Sequence, residues 1–317
     1  MAGMTLRPET SDQRGVALIT ILLIVSVLTA IVARLSLSSE VWVRQVESGA
    51  ALAQARQVSR AAQHWVGLIL ERDDNDYDAP TDPWGRPLPP LPVGWGELSG
   101  DIEDRQGRFN LNNLVTAEGE VDQAALGRFQ RLLRLLELGP GIAAAAADWI
   151  DSDTRPQGAG GAEDSLYLGR RPPYLTANRL FGEPAELRLV RGVGRKAWRK
   201  LRPHVSALPE ATGVNVNTAT PEVLAAVVLD WGAPRLALAR AQRLAESRGG
   251  QPFATLEGFA NAAGVGSSGD SGRLTVSSKF FMAHTVSRFG RAEHRLATLY
   301  RRQGGKAEVV RHRAEIR

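Results

Sequence analysis

The pattern of apolar and polar positions divides the chain into three parts. Val16 to Ala33 (VALITILLIVSVLTAIVA) is eighteen residues without a charge, ended by Arg34. That is the lower limit for a helix crossing a bilayer. Arg7 and Arg14 precede the run, so the positive-inside rule puts the N-terminus in the cytoplasm and everything after Arg34 outside. A cleaved secretory signal would have a shorter apolar core and a small-x-small site after it. Here more helix follows, with no proline between Pro8 and Pro80. Val43, Val46, Ala50 and Ala53, then Val58, Ala62, Trp65 and Ile69, recur at steps of three and four. One helix from Val16 to about Leu70, roughly 80 Å long, is predicted. Its first third would sit in lipid, and the rest would offer one face to a soluble domain.

Beyond it, prolines crowd residues 73–96, which read as an irregular connection. Leu98–Leu111 alternates around Asp104-Arg105-Gln106-Gly107 and reads as a hairpin. Helical periodicity then takes over. Leu126, Phe129, Leu132, Leu133 and Leu136 make one apolar face, Ala143–Ile150 continues the pattern, and most of 185–250 reads as helix. Strand patterns return at Phe280–Val286 and Leu296–Tyr300 across a Gly-Arg turn, with Glu308–Ile316 as a third candidate. Strands at both ends must find each other, because an isolated hairpin is marginal. The expected fold is therefore α+β, a long N-terminal helix plus an antiparallel sheet, with a large all-α domain inserted between strands. The expected divisions begin with 16–72 as the helix, with 16–33 spanning the membrane. Residues 73–111 and 276–317 form the sheet domain, and 112–275 the insertion.

Composition changes this picture little; charge distribution changes it more. Of 317 residues, 43% are apolar and 23% charged, ordinary globular values that exclude a wholly disordered chain. Cysteine is absent, which removes disulfides, thiolate metal sites and thiol catalysis. The net charge of +5 suggests nucleic acid until it is located. Residues 288–317 hold nine Lys/Arg against three Asp/Glu, and the rest of the chain is nearly neutral. The segments 138–142 (LGPGI), 190–194 (VRGVG) and 215–219 (NVNTA) resemble pieces of helix-hairpin-helix units, which in DNA-binding proteins present backbone N–H groups to phosphate. The insertion mixes arginines with acids and has no one-sided basic patch, so a compact helical scaffold is the favoured reading and a nucleic-acid partner the alternative.

One loop carries candidate chemistry. Asp148-Trp149-Ile150-Asp151-Ser152-Asp153 runs into a glycine-rich stretch ending at Glu163-Asp164. Acids around a flexible loop, without Cys or His, suit a hard oxygen-seeking cation. Asp151, Asp153, Glu163 and Asp164 are the candidate ligands, with Asn178 and Glu186 as contributors from the following segment. Calcium tolerates irregular geometry better than magnesium. The EF-hand spacing is missing, and acidic glycine loops are often simply solvated. A second acidic run, Asp73, Asp74, Asp76 and Asp78, reads as a solvated helix exit. Nothing points to an enzyme. There is no P-loop, HExxH or GxSxG, the five His are scattered, and Gly269-Asp270-Ser271-Gly272 echoes a serine-protease fragment by chance.

Arg14-Gly15 before an unbroken apolar helix resembles a type IV prepilin leader. GRFNLNNL at 107–114, DWIDSD at 148–153, GGAED at 160–164, PPY at 172–174, ELRLVRGV at 186–193 and VNVNTA at 214–219 follow in order. Together they resemble the K-type minor pseudopilins of bacterial type II secretion systems, from about Arg14 to the C-terminus. The resemblance implies cleavage by prepilin peptidase after Gly15 and N-methylation of Val16. It implies a pilin-like domain with a helical insertion that binds one or two Ca2+ ions. It also implies anchoring in the inner membrane with the C-terminal domain in the periplasm, and assembly with I- and J-type minor pseudopilins and other pseudopilins at the tip of the pseudopilus. Most pilin-like subunits carry Glu at the fifth mature position, where it pairs with the N-terminal amine of the subunit ahead. Here that position is Thr20.

Overall fold

The computed structural model describes residues 13–73, 76–228, 237–265 and 273–315. Most of the leader, Asp74, the Gly269–Gly272 fragment and the end of the third C-terminal strand lie outside them. Helix α1 (Gln13–Glu71) is continuous. Its apolar first third packs on nothing, and no residue of that window is buried. Polar groups there are absorbed by the helix itself: the Thr20 hydroxyl donates to the Val16 carbonyl at 2.8 Å.

The second half of α1 lies on a five-stranded antiparallel sheet, built from β1 (Leu88–Val93), β2 (Gly96–Asp104), β7 (Phe280–Phe289), β8 (Ala292–Gln303) and β9 (Lys306–Ala314) in that spatial order. β7 shows the expected period of two, with Phe281, Ala283, Thr285, Ser287 and Phe289 all buried. Val66 and Leu70 of α1 pack with Trp84, Phe281, Ala283 and Tyr300. Polar ties fix the register: Ser59 Oγ lies 2.9 Å from Ser287 Oγ, and the Tyr300 hydroxyl donates to the Gln63 carbonyl at 2.9 Å.

The buried face of α1 differs from the periodicity reading. It runs through Ala51, Ala55, Ser59, Ala62, Val66 and Leu70, whereas Val43, Val46 and Trp65 stay exposed. Small side chains let the sheet approach closely, and a Ser facing a buried Ser is invisible to an apolar count. The hairpin expected at Leu98–Leu111 is also corrected. β2 pairs with β1 on one side and with β7, far away in sequence, on the other. The chain turns at Asp104–Gly107, but Phe109–Asn110 (β3) then leaves to pair in parallel with Val205–Ser206 (β4). The proline-rich segment taken as irregular contributes β1, where Pro89, Pro90 and Pro92 sit on an edge that tolerates missing N–H groups.

Between β2 and β7 lies the inserted domain. It holds α2 (Gln123–Leu135), α3 (Gly141–Asp148), α4 (Asp164–Leu168), α5 (Arg195–Leu201), α6 (Pro221–Val227), α7 (Leu238–Ser247) and α8 (Leu256–Ala263). It is helical as expected, with two short parallel pairings beside the helices: β3 pairs with β4, and β5 (Val214–Asn215) pairs with β6 (Leu274–Thr275). The stretch 185–250 holds short helices broken by β4 and β5 rather than near-continuous helix. Its core includes Phe129, Leu132, Leu133, Trp149, Tyr167, Val223 and Phe259. The insertion leaves the sheet where Phe281 meets Leu70, the end of α1 far from the apolar third. At the opposite end of the sheet Phe289 packs on Ala51 and Ala55.

Two buried asparagines help hold this domain together. Asn112 Nδ2 donates to the carbonyls of Phe181 and Leu208 while its Oδ1 accepts from Phe181 N–H. Asn217 brackets Phe253 in the same way. An Asn is suited to this because one amide offers both donors and an acceptor to an irregular backbone.

Candidate metal centre

The alanine run of α3 allows close packing on all sides, and the helix ends at Asp148 with no exposed surface. Asp148 Oδ2 accepts from the Ala162 N–H at 2.6 Å, and Oδ1 accepts from the Gln157 N–H at 3.0 Å. The glycine loop therefore folds back over the helix end. Gly161 is required there, because a Cβ would fall 2.5 Å from Asp148 Oδ2 and 2.4 Å from the Gln157 nitrogen. Three residues on, Asp151 is buried, and the returning loop brings Glu163 beside it. Carboxylate oxygens of Asp148, Asp151 and Glu163 lie within 4.8 Å of one another. Trp149, Tyr167 and Tyr174 form an aromatic cluster beside them, with ring centroids 5.2 Å apart for the first pair.

Both carboxylate oxygens of Asp151 and both of Glu163 are buried without a hydrogen-bond partner. Buried polar atoms are normally satisfied, and buried charge needs a counter-charge. Burial first, then the charges of Asp148 and Asp153, push the Asp151 carboxyl up to about 7. Burial first, then Asp148 and Asp151, push Glu163 up to about 7 as well. Four free oxygens beside a third carboxylate, with no nitrogen or sulfur donor among them, suit a divalent hard cation.

The sequence-derived ligand set is redistributed by the fold. Asp151 and Glu163 come together. Asp148 joins them and had not been chosen as a ligand; its spacing of three from Asp151 across a helix end was the available signal. Asp153 is exposed and caps the Arg155 N–H at 2.6 Å, acting on the cluster only as a nearby charge. Asp164 Oδ1 accepts from both the N–H and the hydroxyl of Thr176, which holds its carboxyl below the usual range. Asn178 is exposed with φ of 44°, and its N–H donates to the Trp149 carbonyl. Glu186 closes a capping box, accepting from the N–H groups of Gly182 and Glu183 at 2.9 Å.

A second acid cluster, Asp73, Asp78 and Asp82, also gathers oxygens within 4.8 Å. Either cluster has the donors for a divalent cation, but here a guanidinium is present: Arg302 bonds Asp73 at 2.9 Å and Asp78 at 2.5 Å. Asp78 is fully buried, so the reading of this run as a solvated helix exit is corrected. Burial pushes the Asp78 carboxyl up to about 6 against the pull of Arg302.

Of the glycine turns that suggest helix-hairpin-helix units, the one at Gly192 lies against another of the segments. A Cβ on Gly192 would lie 3.0 Å from Ile142 Cγ1, so the 138–142 and 190–194 segments pack on each other.

A lone apolar helix continuing along one face of a sheet, with a helical domain spliced between two of its strands, defines a pilin-like assembly subunit. Two family models, both described as type II secretion system protein K, match residues 107–210 and 214–277. The type II secretion system protein K of Pseudomonas aeruginosa is 35% identical, covering 94% of this chain and 92% of the relative. That of Pectobacterium carotovorum is 32% identical, covering 95% and 96%. The chain belongs to the type II secretion system protein K family. Members are structural pseudopilins rather than enzymes. In fold it is similar to the crystal structure of the GspK-GspI-GspJ complex from enterotoxigenic Escherichia coli, with a TM-score of 0.67, 23% identity, and coverage of 86% of this chain and 100% of that one. Nothing in these likenesses supports the DNA-binding alternative.

Proposed function

We propose that this subunit caps the tip of the type II secretion pseudopilus, where it helps initiate assembly and so supports export of folded proteins across the outer membrane. The observation that carries this reading is the position of the insertion. It leaves the sheet at the end of α1 away from the apolar third, where a subunit ahead of this one in the filament would stack. A domain of that size leaves no room above it, so the subunit fits one end only. Gold labels against the inserted domain should mark one end of isolated pseudopili; labels spaced along the shaft would refute the placement.

Thr20 agrees with a first subunit. A carboxylate in lipid needs a partner, whereas the Thr20 hydroxyl is satisfied within its own helix. The named complex of the E. coli relative supports I- and J-type minor pseudopilins as the neighbours below. In this reading residues 1–15 are a leader removed by prepilin peptidase, Val16 becomes the methylated N-terminus, and 16–33 span the inner membrane with the rest in the periplasm. The pilin-like unit is 73–111 with 276–317, and 112–275 is the insertion. Mass spectrometry of the mature chain should find an N-methylated Val16; an intact Met1 or a cut elsewhere would count against it.

The cation belongs to the same reading. Asp148, Asp151 and Glu163 would hold one Ca2+, which supplies the positive charge that three buried carboxylates lack. Asp153 and Asp164 flank this group, and Asn178 and Glu186 serve the surrounding backbone. Arg302 leaves the second acid cluster less need of an ion.

A further inference from the structure

The face of the sheet turned away from α1 meets the inserted domain across a cleft. Met282 and Leu299 form its floor, Arg311 and Arg313 of β9 line one side, and Pro184 and Leu208 come from the insertion. Arg105, where the chain leaves β2, also lines it. The enclosed volume is about 160 Å³. At about 30 Å³ per water that is room for a handful of waters or one short acidic side chain.

The charges around it are incompletely matched. Arg105 bonds Glu103 at 3.2 Å, but Glu103 also takes Arg108 at 2.7 Å, so one carboxylate serves two guanidiniums. Arg313 is held by Glu183. Arg311 is half-buried, and its one side-chain hydrogen bond among the described residues is a long one, 3.4 Å from Nη2 to the Ala207 carbonyl. Among the described residues no carboxylate comes within ion-pair distance of it. Burial pushes Arg311 below its ordinary pKa, and burial together with the Arg108 charge pushes Arg105 down to about 10.

A guanidinium has five N–H donors in a planar fork that matches two oxygens of a carboxylate. Lying over an apolar floor, that pairing is less screened than on an open surface. Glu183 in the lining, Glu186, whose charge also acts on Arg311, and Glu315 at 3.4 Å from His284 Nδ1 keep the local excess of positive charge small. A singly charged anion fits this balance and a phosphate dianion does not. We propose that the cleft between the sheet and the inserted domain is a receptor for one carboxylate, gripped by Arg311 with Arg105 beside it in the lining. The ligand is a carboxylic acid, free or carried on an acidic side chain of a partner polypeptide. Neither the cation site nor the tip position enters this argument.

Full-length protein in detergent would be treated with phenylglyoxal, and modification at each arginine followed by mass spectrometry. The probes are acetate, an acetylated Gly-Glu-Gly amide and its Gln counterpart. The Glu peptide should slow modification of Arg311 by about tenfold, the scale of one charge-assisted pair, and leave exposed Arg301 unaffected. Protection by acetate as well points to a free acid; protection by the peptide alone points to a polypeptide. Calorimetry should show Glu-peptide binding lost in Arg311→Met, with the melting temperature of that variant checking its fold. Equal protection by the Gln peptide, no protection by either carboxylate, or unchanged binding in a folded Arg311→Met would overturn the proposal.

Discussion

Chelation of calcium from the folded protein should lower its melting temperature by about 5–10 °C, and addition of calcium should restore it. The size follows from linkage. A ligand present at a hundred times its dissociation constant adds about 2.7 kcal/mol to the folded state. In a chain of this length each kcal/mol moves the midpoint by about 2–4 °C. The cause is electrostatic. Asp148, Asp151 and Glu163 are buried together, and four of their oxygens have no other partner. Without a cation the cluster must hold protons or bear repulsion. The sign is therefore specific. Asp151 and Glu163 have folded-state values raised to about 7, above their unfolded values, so the calcium-free protein binds extra protons when folded. Its stability should fall as pH rises from about 4 to 7, while the calcium-loaded protein should not show this loss. The difference between the two melting curves should accordingly widen towards pH 8 and shrink towards pH 5, because protons compete with the cation. Asp151→Asn should abolish most of the calcium response and make the chelated protein more stable than the chelated wild type, by relieving repulsion. Identical melting curves with calcium and with EDTA at pH 8 would dispose of the site.

How much of this was legible in the sequence depended on where the controlling contacts lie. The apolar run from Val16 and the alternation at Phe280–Val286 are local patterns, and the first lies in a helix and the second in a strand. β1 was hidden because Pro89, Pro90 and Pro92 argue against a strand unless it is an edge, and edge position is a property of the assembled sheet. The turn at Asp104–Gly107 was visible, but the next strand's partner, Val205–Ser206, lies about a hundred residues on. For the acid cluster, composition points to the loop in which Asp151 and Glu163 meet, whereas Asp148 joins them only through the folding back of that loop. Sequence cannot distinguish a carboxylate free to bind an ion from one that, like Asp164 or Glu186, accepts N–H groups of a neighbouring turn.

Replacing Asp104 by Ala should cost about 3–5 kcal/mol and lower the midpoint of thermal unfolding by about 10 °C or more. Asp104 ends β2 and is buried, where desolvation pushes its carboxyl upward. Oδ1 accepts from the Gln106 N–H at 2.7 Å. Oδ2 accepts from Thr218 Oγ1 at 2.5 Å, Ser278 Oγ at 2.8 Å and Asn215 Nδ2 at 3.0 Å. Asn215 Nδ2 also donates to the Asp78 carbonyl, at 3.1 Å. One carboxylate thus ties the segment leaving α1, the exit from the sheet, the inserted domain and the return into β7. Ala would leave the Gln106 N–H buried without its acceptor and take away the shared acceptor of Thr218, Ser278 and Asn215, a cost larger than the net worth of the bonds themselves. Asn at 104 keeps one carbonyl and the volume, and Thr218 and Ser278 can rotate their hydroxyls towards its amide. Asp104→Asn should therefore cost clearly less than Asp104→Ala. Glu118→Gln, on an exposed turn, should stay within about 0.5 kcal/mol of wild type. Because the knot joins two units, its loss should also separate their unfolding. Tryptophan fluorescence from Trp84, packed under the sheet, and from Trp149, in the insertion, should change together in the wild type and at different denaturant concentrations in Asp104→Ala. Single-tryptophan versions report each unit. Coincident transitions with a loss below about 1 kcal/mol would mean that the two units are held together by apolar packing rather than by this carboxylate.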